Sequence, residues 1–504
     1  MTATGAGTTE ETPEPGAEEP SAARRIITAG ALLALILSSM DVSIVGTALP
    51  RMAADLGALN LYSWVGVSYG MAAAVVIPIG GKLGDLFGRK PLLMAGLGGF
   101  VLSSLLGALA QNMALLIVAR TVQGLCAGLL TANIFTLIGE IYTAERRAQI
   151  QGVFFSVAGL GMVAGPPLGG VITDGWGWRW VFWINVPLGA LALLAVTAVP
   201  FKQMGGRWQD IDFLGVLTLT AGLVPLLFGL SLTGDGHAWG SLEVLGPIFG
   251  GLIVLGLFCL VESRYARQPL VPFELFKVNQ VAVLVVVSFL SAVAMMGTSF
   301  YVPLLYQGVL GVSATYSGSL LIPLAVAMMV VPPLTGKYLP SVPHYRYLGA
   351  AAFALLVVGL VILSRVRPGS GDWMPLLAMV IIGIGVGIIF PLTTTVVQSA
   401  VPLELLGVGT SQIQFWRTFA SPVSIAVLGT LLSARSGGLG SGGGRGPSAE
   451  RLADGLSDVF MVGAALATIG LVITLFLKEI PLRGAPAKPR PVMEPEDAAS
   501  KDAT

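Results

Sequence analysis

Hydrophobic residues in this chain gather in long runs separated by short polar clusters. A helix needs about 20 apolar residues to cross the hydrocarbon core of a bilayer. The runs predict fourteen membrane-spanning helices, the first seven at roughly 26–49, 62–80, 91–110, 113–140, 149–172, 181–200 and 212–232. The other seven fall at roughly 244–262, 280–307, 314–336, 347–364, 374–400, 406–433 and 457–477. They are numbered as spans 1 to 14. The predicted fold is an all-α integral membrane protein.

The polar segments between the runs set the orientation. With the N-terminus inside, 19 of the 28 Lys and Arg fall on cytoplasmic segments and 7 on outer loops, the other two lying within spans. Cytoplasmic loops carry such an excess. One missed or invented span would invert every later loop, so the bias supports the count. It places both termini in the cytoplasm and the chain, multi-pass, in the inner (cytoplasmic) membrane.

Residues 1–23 hold five glutamates and no basic residue, the composition of a disordered tail. They lack the basic region of a signal peptide, and Arg24 and Arg25 open span 1 as an uncleaved signal-anchor. Residues 479–504 are rich in Pro and charge and predict a second disordered cytoplasmic tail. The outer run Ser436–Pro447 is a Gly/Ser tether. A faint repeat links Gly81-Lys82-Leu83-Gly84-Asp85 after span 2 to Gly336-Lys337-Tyr338-Leu339 after span 10. It predicts two pseudo-symmetric six-helix halves, 24–200 and 269–478, with two extra spans inserted in a linker, 201–268. Duplicated halves place a transporter's substrate site where they meet.

Composition narrows the function. Of 504 residues, 54% are apolar and 11% charged, with a mean hydropathy of +0.83. Soluble domains carry about 25% charged residues, so the bilayer is the solvent. A net charge of +1 gives no reason to expect nucleic acid. Cys126 and Cys259 lie in apolar runs and read as buried small hydrophobes. His237 and His344 fall in loops, so neither a metal site nor a Ser-His-Asp constellation can be assembled. The nearest string to a Walker A loop, Gly80-Gly81-Lys82-Leu83, lacks both the upstream glycine, at Val76, and the following Ser or Thr. Neither metal nor cofactor is expected.

Charges inside hydrocarbon are costly and need a reason. Three lie clearly within spans: Asp41, Arg120 and Arg417. Asp41 lies ~15 Å from the outer end of span 1 and Arg120 ~13 Å from that of span 4, at helical rise. The matched depths predict that they face each other. Asp41, the one carboxylate near the middle of a span, is the candidate carrier of a coupling proton with Arg120 beside it. The alternative is a static ion pair that fixes packing. Arg417 lies mid-span in span 13 with no acid in spans 9–14 placed to neutralise it. It could bind helix carbonyls with Gln412 or Gln414, or meet an anionic substrate or lipid.

The segment Gly81–Pro91 puts Asp85, Arg89 and Lys90 among Gly81, Gly84 and Gly88. It reads either as a tight cytoplasmic turn or as a latch in which Asp85 pairs with basic neighbours and a helix N-terminus. In span 5, Gly161, Gly165 and Gly169 recur every four residues beside Pro166, Pro167 and Gly170. The glycines give a smooth face for close helix approach, and the prolines remove backbone donors. That cluster reads as a moving helix interface or as a plain kink. Candidates to line a substrate cavity are Gln123, Phe154, Phe155, Tyr301, Phe415, Trp416 and Arg417. Trp176, Trp178, Trp180 and Trp183 predict an interfacial belt at the outer end of span 6.

Taken together these motifs resemble the major facilitator superfamily, and within it the fourteen-span drug:proton antiporters. Gly81 to Lys90 is similar to the superfamily motif between spans 2 and 3, and Arg120-Thr121-Val122-Gln123-Gly124 to the span-4 motif. Gly161 to Gly170 resembles the antiporter motif, Asp41 to Pro50 the span-1 motif of the branch, and Trp178 to Pro187 its outer-loop motif. Gly46 departs from the asparagine of many relatives, and the loop motif of the second half is degraded. The resemblance implies a monomeric secondary transporter, not an enzyme. It would exchange protons for small hydrophobic or cationic compounds, drugs and antibiotics among them, by alternating access. Export of a lipid or an endogenous metabolite uses the same fold, and a transport-inactive sensor or scaffold is the reading from a different class.

Overall fold

The computed structural model describes residues 22–57, 61, 63–197, 206–234, 237–266, 268–312, 320–436 and 449–482. The tail expected at 1–23 lies outside them apart from Ala22 and Ala23, as do the tether beyond Ser436 and the C-terminal tail from 483 onward. The described elements are all helical, and fourteen helices are long and apolar enough to cross a membrane. Spans 1 to 7 are Arg24–Leu56, Trp64–Phe87, Arg89–Ala108, Met113–Ile141, Arg146–Gly175, Trp180–Thr197 and Phe213–Thr233. Spans 8 to 14 are Leu242–Arg264, Asn279–Val309, Ile322–Ser341, Tyr345–Ser364, Trp373–Ala400, Leu403–Leu432 and Ala449–Leu475.

Packing repeats with an offset of eight spans. Span 1 packs on spans 5 and 6, span 2 on span 4, and span 3 on spans 4 and 6. Likewise span 9 packs on spans 13 and 14, span 10 on span 12, and span 11 on spans 12 and 14. Contacts between the halves obey the same rule: span 5 meets span 10 as span 13 meets span 2, and span 4 meets span 13 as span 12 meets span 5. Spans 7 and 8 pair with each other, and span 7 lies against spans 2 and 13. The inserted pair therefore sits outside the pseudo-symmetric core, beside one of its two seams.

The polar segment 81–91 is not a loop. Span 2 stays helical to Phe87 and span 3 begins at Arg89, so the whole turn is made at Gly88. Gly88 takes φ 85°, a backbone conformation that costs a residue with a Cβ far more than glycine. The charged residues remain in helix because partners for them stand close by. Span 5 likewise runs unbroken through Pro166 and Pro167, both exposed on its outer surface. Its glycine face meets span 1: a Cβ at Gly161 would reach within 3.1 Å of the Ser39 Cβ, and one at Gly169 within 3.1 Å of the Ile44 Cα. At Gly165 it would collide with Ser43, whereas Gly170 faces open space.

Three expectations change. Cys259 is exposed, and Cys126 is only half-buried although its sulfur lies over Gly99 of span 3. Of the four tryptophans, Trp176, Trp180 and Trp183 are exposed as a belt requires, but Trp178 is buried and donates to the Asp55 carboxylate at 2.8 Å. Residues 478–482 pack rather than trail away: Glu479 accepts from Arg346 N–H at 3.2 Å, Ile480 N–H donates to the Tyr345 hydroxyl at 2.7 Å, and Leu482 is buried.

Candidate functional site

Three polar centres interrupt the apolar interior. The first lies inside the N-terminal half, where span 1 brings Asp41 against span 4. Arg120 Nη1 is 2.5 Å from Asp41 Oδ2, and neither side chain reaches solvent appreciably. The other carboxylate oxygen accepts from Gln123 Nε2 at 2.9 Å and Asn185 Nδ2 at 2.7 Å. Ser104 Oγ accepts from the same two amides at 2.8 and 3.3 Å. Arg120 also donates to Gln123 Oε1 at 2.7 Å and to the Val65 carbonyl at 3.4 Å, and lies 4.3 Å from the centre of the Tyr69 ring. The charged pair is thus held by five spans, and each carboxylate oxygen has a donor. Such satisfaction is what makes a buried ion pair tolerable, since an orphaned charge in hydrocarbon is costly.

Asn185, Ser104 and Tyr69 complete this centre but were not singled out from sequence. Asn185 stood in the quoted outer-loop motif, and a polar residue opening the apolar run of span 6 was the available signal. Gln123, expected to line a cavity, is instead wholly enclosed here.

The second centre surrounds Arg417, between the halves. Its guanidinium lies 3.9 Å from the centre of the Phe390 ring in span 12 and 5.1 Å from that of Phe155 in span 5. It donates to Thr393 Oγ1 at 3.0 Å, Gln414 Oε1 at 3.2 Å and the Phe390 carbonyl at 3.5 Å. Among the described residues no carboxylate pairs with it. Phe155 stacks on Phe135 at 4.8 Å and faces Phe390 at 5.7 Å. Its neighbour Phe154 turns the other way and is fully buried edge-on to Phe135. The remaining aromatic candidates lie apart from this point. Tyr301 donates to the Ile425 carbonyl at 3.5 Å, Phe415 stacks with Phe419 at 5.7 Å, and Trp416 meets Phe289 edge-on at 6.1 Å.

The third centre ties the halves together at the end carrying the 2/3 and 12/13 junctions. Asp85 accepts the backbone N–H groups of Gly407 and Val408, both at 2.9 Å, at the start of the long helix of span 13. It also pairs with Arg89, which reaches Glu140 at 2.9 Å and the Gly81 carbonyl at 3.3 Å. An anion is favoured at a helix N-terminus, where N–H groups lack intrahelical partners. Gly81 and Gly407 lie so close that a Cβ on Gly407 would come 2.5 Å from the Gly81 carbonyl oxygen. Lys90 turns away and donates to the Thr197 carbonyl at 2.6 Å. Nearby, Gln398 joins the halves again: it receives Gln151 Nε2 at 2.9 Å, donates to the Phe135 carbonyl at 2.9 Å, and its own carbonyl accepts from Arg147 at 3.2 Å. Arg147, Gln151 and Gln398 were not anticipated either.

A model of the "Major Facilitator Superfamily" matches residues 31–425. The chain is 34% identical over 420 residues to the multidrug transporter protein MdtP of Bacillus subtilis, spanning 82% of this chain and 76% of the relative. It is 33% identical over 410 residues to multidrug resistance protein 3 of the same organism, spanning 81% and 80%. The proton:xylose symporter XylE shares the fold, with a TM-score of 0.64 at 14% identity over 90% of this chain and 95% of that one. The pseudo-symmetric halves, the charged pair in span 1 and span 4, and these matches agree: this chain belongs to the major facilitator superfamily and is a multi-pass secondary transporter, not an enzyme.

Proposed function

We propose that the protein is a proton-driven antiporter that exports small, largely apolar compounds, drugs and antibiotics among them, across the cytoplasmic membrane. The observation that carries this reading is Asp41, a fully buried carboxylate whose charge is balanced by a single cation, Arg120. In this reading Asp41 carries the coupling proton and gives up its pairing with Arg120 in exchange. A proton entering with one charge supplies ~2.3 kcal/mol per 100 mV, and no cofactor is needed. The names of the curated relatives support export of drugs.

In the same reading the Asp85 centre is a latch. It bonds the 2/3 junction of one half to the helix N-terminus of the other, closing the end that the charge bias assigns to the cytoplasm. The glycine seam between spans 1 and 5 lets those helices slide as the halves rock. The transporter works as a monomer with both termini in the cytoplasm.

The test is energised uptake of the neutral dye N-phenyl-1-naphthylamine by everted vesicles, for wild type and Asp41→Asn, with and without a protonophore. Uptake should vanish with either the substitution or the protonophore. Uptake insensitive to the protonophore would overturn proton drive; uptake that survives Asp41→Asn yet stops with the protonophore would remove Asp41 from the coupling step.

A further inference from the structure

We propose that Arg417 anchors an anionic group of the transported compound, so that the preferred substrates are apolar acids with an aromatic body rather than cations. The proposal rests on the exporter reading and specifies the chemistry of what is exported. Arg417 lies eleven residues beyond Leu406, or ~17 Å into the span at helical rise, and contacts rings from both halves. That is where duplicated transporters hold their substrates.

Its surroundings are donor-rich and acceptor-poor. The Nε–H is buried with no partner, and so is the amide Nε2 of Gln414 beside it. Of the three acceptors that Arg417 does find, the Phe390 carbonyl at 3.5 Å stands at the limit of a hydrogen bond. Binding to helix carbonyls therefore leaves the guanidinium incompletely satisfied. The other half offers no compensation, because Asp41 and Arg120 neutralise each other. A cation entering this space meets a fixed positive charge and unmet donors. A carboxylate or sulfonate meets a planar fork that matches two oxygens, and its ring lies against Phe155 and Phe390.

The experiment is equilibrium binding to the purified full chain in phosphatidylcholine nanodiscs, with no pH gradient. The probes are 2-naphthoate, 2-naphthamide and 2-naphthylmethylammonium, which share one ring system and differ in charge. Naphthoate should bind at least about tenfold more tightly than the ammonium. Arg417→Gln should abolish that preference while leaving amide binding, which reports a folded site; Arg417→Lys should restore part of it. Equal or tighter binding of the ammonium, a preference that survives Arg417→Gln, or no saturable naphthoate binding by folded protein would each overturn the proposal. Nanodiscs containing phosphatidylglycerol, at a salt concentration that screens surface charge, separate the two sources of an anion. Unchanged naphthoate affinity is expected; its loss would assign Arg417 to a lipid headgroup and overturn the soluble-substrate claim. Because no gradient is involved, failed coupling at Asp41 would leave this result standing, and a lost charge preference would leave the exporter reading standing.

Discussion

Arg120 and Arg417 are both arginines in the middle of a membrane-spanning helix, and they are solvated by opposite means. Arg120 has a carboxylate at 2.5 Å, a side-chain carbonyl, a backbone carbonyl and an aromatic face, all within one half. Arg417 has a hydroxyl, an amide and a distant carbonyl, with rings from both halves around it and, among the described residues, no counter-ion. One centre is electrically closed, its two charges paired with each other. The other is open, with the buried donors Arg417 Nε and Gln414 Nε2 left without partners. Under the function proposed above, the contrast divides the work of an exchanger, coupling within the first half and recognition between the two.

The contrast can be broken most forcefully at the closed centre. Arg120→Gln strips the counter-charge from a carboxylate with no access to water, and should cost about 3–5 kcal/mol, read as a large fall in the thermal midpoint of the purified protein. Asp41→Asn added to Arg120→Gln should recover most of that loss, since the charge left stranded is then gone. If the double variant is no more stable than Arg120→Gln alone, the pair is not the energetic unit described. A smaller effect is expected at Asn185, whose amide donates to Asp41 at 2.7 Å. Asn185→Ala removes one charge-assisted hydrogen bond and should cost about 1.5–3 kcal/mol by the same measurement. A loss below the measurement error would show that Gln123 and Arg120 suffice for the carboxylate.

How far these centres could be read from sequence depended on the kind of signal each left. Fourteen spans and the Asp41–Arg120 pairing were legible because a charge in hydrocarbon is rare and depth along a helix is arithmetic. Asn185 and Ser104 were not, because one uncharged polar residue in an apolar run looks the same whether it faces lipid or a carboxylate. The extent of helix in segment 81–91 was not legible, because its glycines and charges have the composition of a turn between spans. The segment stays helical to Phe87 because Asp85 pairs with Arg89 and accepts backbone N–H groups of span 13, more than three hundred residues away. Phe154 and Phe155 show the remaining limit: adjacent, identical residues point in different directions, and only one reaches Arg417.

The smallest effect is expected at the open centre, and its smallness is the informative part. Arg417→Gln gives up the charge-assisted bonds to Thr393 and Gln414, worth about 1.5–3 kcal/mol each. It also removes a charge held in low dielectric without a counter-ion, a change that works in favour of the folded state. These contributions oppose each other, so the thermal midpoint in the absence of ligand should hold steady. Arg120→Gln, by the same chemistry of substitution, should lower it sharply. A fall at Arg417 as large as that at Arg120 would mean that Arg417 is a structural arginine already satisfied by its neighbours, and the distinction between a closed and an open centre would collapse. A steady midpoint together with a lost preference for 2-naphthoate would place the value of Arg417 in what it binds rather than in what it holds together.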